Sequence, residues 1–180
     1  MIVALSGGIA VGKTVTAELL AARYGGTHLR VRQALADAAH VDITDRLGLQ
    51  REGASLDVRT DGAWLSDYIE EHHPDDGLLL VDSIRTRRQG RPLLDRLADA
   101  HLVYLQAHAA TRRVRYNLGA EQDSLKASVP FDDATAHETE LRADEVRDLA
   151  ELTLDTDDLD VSGVAREIGD ALNLPGAERT

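Results

Sequence analysis

Residues Gly7-Gly8-Ile9-Ala10-Val11-Gly12-Lys13-Thr14 fit the pattern G-x-x-x-x-G-K-[ST] in full. Glycines let the backbone curl until successive N–H groups point inward at phosphate oxygens. A helix beginning at Lys13 turns its positive N-terminal end on the same anion. Lys13 then neutralises the β- and γ-phosphates, and Thr14 offers its hydroxyl to Mg²⁺. The stretch Gly8, Ile9, Ala10, Val11, Gly12, Lys13, Thr14 and Val15 is therefore the expected ATP site. Lys13 stands out further because only two of the 20 basic residues are lysines, Lys13 and Lys126. A second chemical group is Asp82, behind the apolar run Gly77-Leu78-Leu79-Leu80-Val81. A carboxylate there has two uses: an outer-shell Mg²⁺ ligand, or a base for a hydroxyl acceptor. Arginines form the third group: Arg30 and Arg32, then Arg85, Arg87 and Arg88. Phosphoryl transfer is mostly positioning and charge neutralisation, and arginine forks suit phosphate geometry.

These groups must be placed by regular elements. Met1 to Leu5 reads as a buried strand ahead of the glycines, and Lys13 to Tyr24 as a helix stopped by Gly25-Gly26. His28 to Arg30 reads as a short strand, with helices over 31–40 and 44–55. Asp61 is the expected cap of a helix through Trp64, Leu65, Tyr68 and Ile69, with Pro74 beyond its end. Gly77 to Asp82 reads as a strand ending in its carboxylate, followed by a helix over 86–99. His101 to Gln106 is the next strand, and 109–118 an arginine-rich helix. Residues 119–137 are polar, contain Pro130 and lack a firm period, which predicts a mobile excursion. Leu141 to Leu149 is helical, Leu152 to Asp155 a last strand, Val161 to Leu172 a closing helix, and the tail from Pro175 frayed. Strands alternating with helices predict a three-layer α/β/α fold around a parallel sheet of about five strands. In that arrangement Arg30, Arg32, Arg85, Arg87 and Arg88 converge at the carboxyl edge of the sheet.

The segment Val81-Asp82-Ser83-Ile84-Arg85-Thr86-Arg87-Arg88-Gln89 resembles the nucleoside monophosphate kinases, where a strand-end aspartate is followed by Arg-Thr-x-x-Gln. The resemblance implies that Arg85 grips the acceptor phosphate and Gln89 reads the base edge. It places Arg32, with Arg30 beside it, as a second phosphate grip, and Arg88 on the acceptor side. The usual Gly-Asp ahead of that second arginine is missing, and Ser83-Ile84 is one residue shorter than the family's segment. The last strand and helix also look like the C-terminal unit of cytidylate and dephospho-CoA kinases. In such kinases the helix after the fourth strand feeds a lid, and its arginines touch the adenine face and the transferring phosphate. At 100° per residue Arg112 and Arg115 share a face while Arg113 points elsewhere. The lid-like insertion, about 118–140, departs from the family: its acidic residues include Glu121, Asp123, Asp132 and Asp133, and Lys126 is its one full cation.

Composition removes other classes. The chain has 180 residues, 43% hydrophobic and 29% charged, enough for one domain. A net charge of -12 and 3% aromatics argue against nucleic acid or acidic membranes as partners. No cysteine is present, which excludes thiol chemistry and Cys-ligated metal. His137-Glu138 lacks the second histidine of a zinc site. Asn117 is followed by Leu118-Gly119-Ala120, so the guanine-reading N-K-x-D segment of GTPases is absent. The apolar start without a basic leader predicts a cytoplasmic protein. The expectation is a single domain over 1–180, a monomer or homodimer, that moves phosphate from ATP, with Mg²⁺, to a small phosphorylated nucleoside. Catalysis falls to Lys13, Asp82, Arg85, Arg112 and Arg115. Two other readings stay open: a kinase for a hydroxyl acceptor, as in dephospho-CoA or nucleoside kinases, and a nucleotide-binding regulatory protein with a degenerate lid.

Overall fold

The run Leu78-Leu79-Leu80-Val81 is apolar at every position, so a strand built from it must be covered on both faces. The computed structural model describes residues 1–73, 77–120, 129–136 and 142–174. In it β1 (Ile2–Ser6), β2 (Thr27–Arg30), β3 (Leu79–Ile84), β4 (Ala100–Gln106) and β5 (Leu152–Asp155) form one parallel sheet in the order β2-β3-β1-β4-β5. Side chains alternate between its faces. Val3, Leu5, Leu80, Val103 and Leu105 point to one face, under α1 (Lys13–Tyr24) and α9 (Val161–Ala171). Ala4, Leu79, Val81 and Leu102 point to the other. That face is covered by α2 (Val31–Ala39), α4 (Trp64–His72), α5 (Arg87–Arg96) and the short α8 (Ala143–Arg147). α3 (Arg46–Arg59) packs on α2, α6 (Ala109–Ala120) follows β4, and α7 (Phe131–Thr135) lies against α6. The three-layer α/β/α reading with a five-stranded parallel sheet is the observed fold.

Several boundaries move for physical reasons. β3 does not stop at Asp82. Ala4 pairs with Val81 and Ser6 with Ile84, so Asp82 and Ser83 together oppose Leu5 in a bulge. Ser83 takes φ 65°, which resets the alternation and returns Ile84 to the face that holds Val81. Asp61 does not cap α4: it has φ 50° in the preceding turn, and Ala63 is the residue before the helix. α3 runs on to Arg59, past the expected end at 55. Within the excursion expected over 119–137, Pro130 instead leads into α7, where its fixed φ of -57° suits a helix start. The helix expected over 141–149 is confined to Ala143–Arg147 among the described residues. Pro74, residues 121–128 and 137–141, including Lys126, His137 and Glu138, and the tail from Pro175 lie outside the described residues. Among the described residues no helix is long and apolar enough to cross a membrane.

Candidate active site

The glycine loop joins β1 to α1 at the carboxyl end of the central strand. Gly7 has φ 129°, and a Cβ on it would lie 2.0 Å from the Leu105 carbonyl oxygen of β4. Only glycine lets the loop pass that close. Gly12 precedes α1, and no side chain caps the helix, which leaves its N-terminal N–H groups without a side-chain acceptor. Lys13 is buried at 9% exposure, and its Nζ donates to the carbonyl oxygens of Gly7 and Gly8, both at 2.8 Å. Gly8 and Val11 line a cleft, Ile9 and Ala10 pack against Tyr116, Phe131 and Ala134, and Val15 is exposed. The tip of the glycine loop is thus propped by α6 and α7.

Asp82 meets this loop because of strand parity. It shares the α1 face with Leu80, and Thr14 opens α1 on that same face. Thr14 Oγ1 donates to Asp82 Oδ2 at 3.1 Å, and the Val31 N–H donates to Oδ1 at 3.3 Å. Asp82 thereby caps α2 across the sheet, a task that Arg30, directly before that helix, does not perform. His28 Nε2 stands 3.3 Å from Oδ2. Burial raises the Asp82 pKa, but His28, Thr14 and the Val31 N–H together outweigh it and hold the carboxyl below its ordinary value. The hydroxyl and this anionic carboxylate form a hard-oxygen pair that fits Mg²⁺, which takes few protein ligands. Among the described residues no cluster of three His, Asp or Glu side chains forms a denser metal site.

The expected acceptor residues differ in their partners. Arg85 is exposed at the turn into α5. Arg30 pairs with Glu18 at 2.6 Å, Arg32 donates to the Ile43 carbonyl at 2.6 Å, and Arg88 lies 3.6 Å from Asp61. Gln89 is buried at 7% exposure. Its Nε2 donates to both Asp57 oxygens at 3.0 and 3.1 Å, and its Oε1 accepts from the Arg85 N–H at 3.1 Å. Asp57, itself buried, also accepts from Trp64 Nε1 at 2.7 Å and Thr86 Oγ1 at 3.2 Å. This network ties α3 and α4 to the segment that carries Arg85. Sequence reading missed it because nothing in the spacing of Asp57, Trp64 and Gln89 brings them together.

On the other flank, a cleft of about 410 Å³ runs from Gly8 and Val11 along Tyr104, Gln106 and His108 to Arg112, Asp144, Arg147 and Asp155. Arg112 and Arg115 do not act alike in the structure. Arg112 lines the cleft, with its buried Nε unbonded, whereas Arg115 donates to Thr156 Oγ1 at 2.8 Å and to the Thr156 carbonyl at 2.7 Å. Arg113 forms a two-pronged pair with Asp132, at 2.9 and 2.6 Å, that holds α7 on α6. Tyr104 donates to Asp144 at 2.6 Å; burial and that carboxylate push its pKa up. Asp157 is held down to about 2 by the Thr111 hydroxyl, the His108 N–H and the His108 ring, and His108 is raised in turn by Asp157 and Asp155.

No protein-family model and no curated protein matches the chain. Solved structures do match in fold. A shikimate kinase from Acinetobacter baumannii, in complex with shikimate, has 16% identity over 96% of this chain and 92% of its own, with a TM-score of 0.60. A shikimate kinase from Bacteroides thetaiotaomicron has 12% identity over 97% and 99%, with a TM-score of 0.63. A sugar kinase from Janibacter sp. HTCC2649 has 15% identity over 99% and 98%, with a TM-score of 0.54. At such identities the likeness establishes a shared fold, the three-layer α/β/α architecture with a parallel sheet.

Proposed function

We propose that the chain is an ATP-dependent phosphotransferase acting on a small molecule. The observation that carries the reading is the Thr14–Asp82 contact of 3.1 Å at the mouth of a complete phosphate loop. Thr14 and Asp82 would hold Mg²⁺, which when bound offsets charge on the phosphate oxygens. Lys13, now on the carbonyls of Gly7 and Gly8, would exchange those partners for phosphate oxygens. Arg112 would supply a cation from the cleft wall, while Arg115 secures the β5–α9 turn. The acceptor oxygen bonds to the γ-phosphorus as the bond to the bridging oxygen breaks and ADP leaves.

The acceptor that fits best carries a hydroxyl. Arg30, Arg32, Arg88 and Gln89, expected to hold a monophosphate and its base, are engaged within the protein. The solved neighbours are named as kinases of shikimate and of sugars. Asp82, kept anionic by its donors, is a weak base and serves the metal side, so the hydroxyl proton passes to the phosphate or to water. The exposure of Arg85 and Arg87, which Arg30, Arg32 and Arg88 share, favours a second reading, a nucleoside monophosphate acceptor, because weak surface pairs such as Arg30–Glu18 and Arg88–Asp61 can give way to a phosphate. A coupled assay for ADP over sugars, shikimate-like polyols, nucleosides and nucleoside monophosphates tests both. Turnover only with monophosphates would overturn the hydroxyl reading. ATP binding with no turnover on any acceptor would favour a regulatory nucleotide-binding protein.

A further inference from the structure

We propose that His28 is a positioning residue that fixes Asp82 against Thr14 and so sets how strongly Mg²⁺ strengthens nucleotide binding; this rests on the ATP reading above. β2 and β3 run parallel with His28 opposite Leu80 and Arg30 opposite Asp82, so the His28 and Asp82 side chains emerge on the same face. Both are largely withdrawn from water, at 12% and 7% side-chain exposure. His28 Nε2 lies 3.3 Å from Oδ2, the oxygen that also accepts from Thr14 at 3.1 Å. Oδ1 is taken by the Val31 N–H. The carboxylate is therefore held at both oxygens, and any turn away from Thr14 breaks one of these contacts. Nε2 is buried without a well-aligned hydrogen-bond acceptor, and Asp82 Oδ2 is the carboxylate oxygen that stands beside it. A buried imidazole on this face costs hydration that a leucine would not lose, and the group that compensates it is Asp82. Partners behind a metal-side carboxylate tune metal affinity by about 10- to 100-fold.

The test is binding of a fluorescent ATP analogue, in EDTA and with saturating Mg²⁺, to wild type, His28→Leu, His28→Gln, Asp82→Asn and the His28→Leu/Asp82→Asn double variant. In His28→Leu the strengthening by Mg²⁺ should fall about tenfold, with affinity in EDTA within twofold of wild type. His28→Gln, whose amide can still donate, should recover part of it. In the Asp82→Asn background His28→Leu should have no further effect, since it acts through Asp82. An unchanged Mg²⁺ effect in His28→Leu, or an equal loss in EDTA, overturns the proposal and leaves the ATP reading standing. Wild type that binds in EDTA without any Mg²⁺ effect overturns it as well. Wild type that binds the analogue under neither condition overturns the ATP reading and this proposal together.

Discussion

Lys13 and Asp57 are both buried charges, yet they have opposite duties. Lys13 rests on the carbonyl oxygens of Gly7 and Gly8, which under the proposed function it would exchange for phosphate oxygens. Lys13→Ala should lower turnover by about 10²- to 10³-fold, the size of losing one electrostatic donor to the transition state; phosphotransfer at the wild-type rate in that variant would refute the site. Asp57 is saturated by Trp64, Thr86 and Gln89 and has no lone pair to spare for a ligand. Asp57→Ala strands three donors in a dry region, and urea unfolding should show a loss of about 3 kcal/mol or more. Asp57→Asn keeps one oxygen and should lose less. Trp64 is the only tryptophan, so its emission reports on this network directly.

Elements reach the site through tight joints. At the α3–α4 turn Gly62 has φ 79°, and a Cβ there would sit 1.9 Å from the Arg88 carbonyl oxygen. Gly62→Ala should push α4 away from α5 and cost about 2 kcal/mol or more in thermal or urea unfolding. The β3 bulge is the second joint. Ser83→Val forces a β-branched side chain into positive φ and should cost about 1–3 kcal/mol, with Asp82 displaced from Thr14. The third joint is the His108–Asp157 pair between the start of α6 and the β5–α9 turn. Asp157 is depressed to about 2 from 3.8, so its contribution is present above pH 3.8 and disappears as pH falls through about 2. His108 is raised from 6.5, so its contribution is complete below pH 6.5 and fades as pH rises through the higher folded value. His108→Ala should therefore lower Tm at pH 5, and by progressively less as pH rises beyond the folded value of His108. High salt should shrink the difference, because His108 is exposed.

The molecule as a whole spends much of its charge internally. Against a net charge of -12, Arg30, Arg32, Arg88, Arg113 and Arg115 are each held by an acceptor of the chain itself. A nucleotide that binds only the folded state should stabilise all of it: at 100 times its Kd, MgATP should add about 2.7 kcal/mol, or about 5–10 °C in Tm. Lys13→Ala should show little of that shift. Much of this architecture was legible in the chain. The strand–glycine loop–helix unit is contiguous, so its chemistry follows from local spacing, and unbroken apolar runs such as Leu78–Val81 required a sheet covered on both faces. Strands alternating with helices likewise gave the layers and the strand count. Strand order, register and partners were another matter. That Asp82 points at Thr14 depends on parity between β3 and α1, and that His28 joins them depends on β2 lying beside β3; neither neighbour is adjacent in sequence. Arg30, Arg32, Arg88 and Gln89 are expected to hold an acceptor because their types and spacing suit phosphate, and that spacing says nothing of the partners they have within the fold. Their engagement by Glu18, Ile43, Asp61 and Asp57 arises from contacts 11 to 32 residues apart, which a linear pattern does not encode. A side chain's chemistry is local, whereas the group that claims it is whichever one the folded backbone brings within about 3 Å.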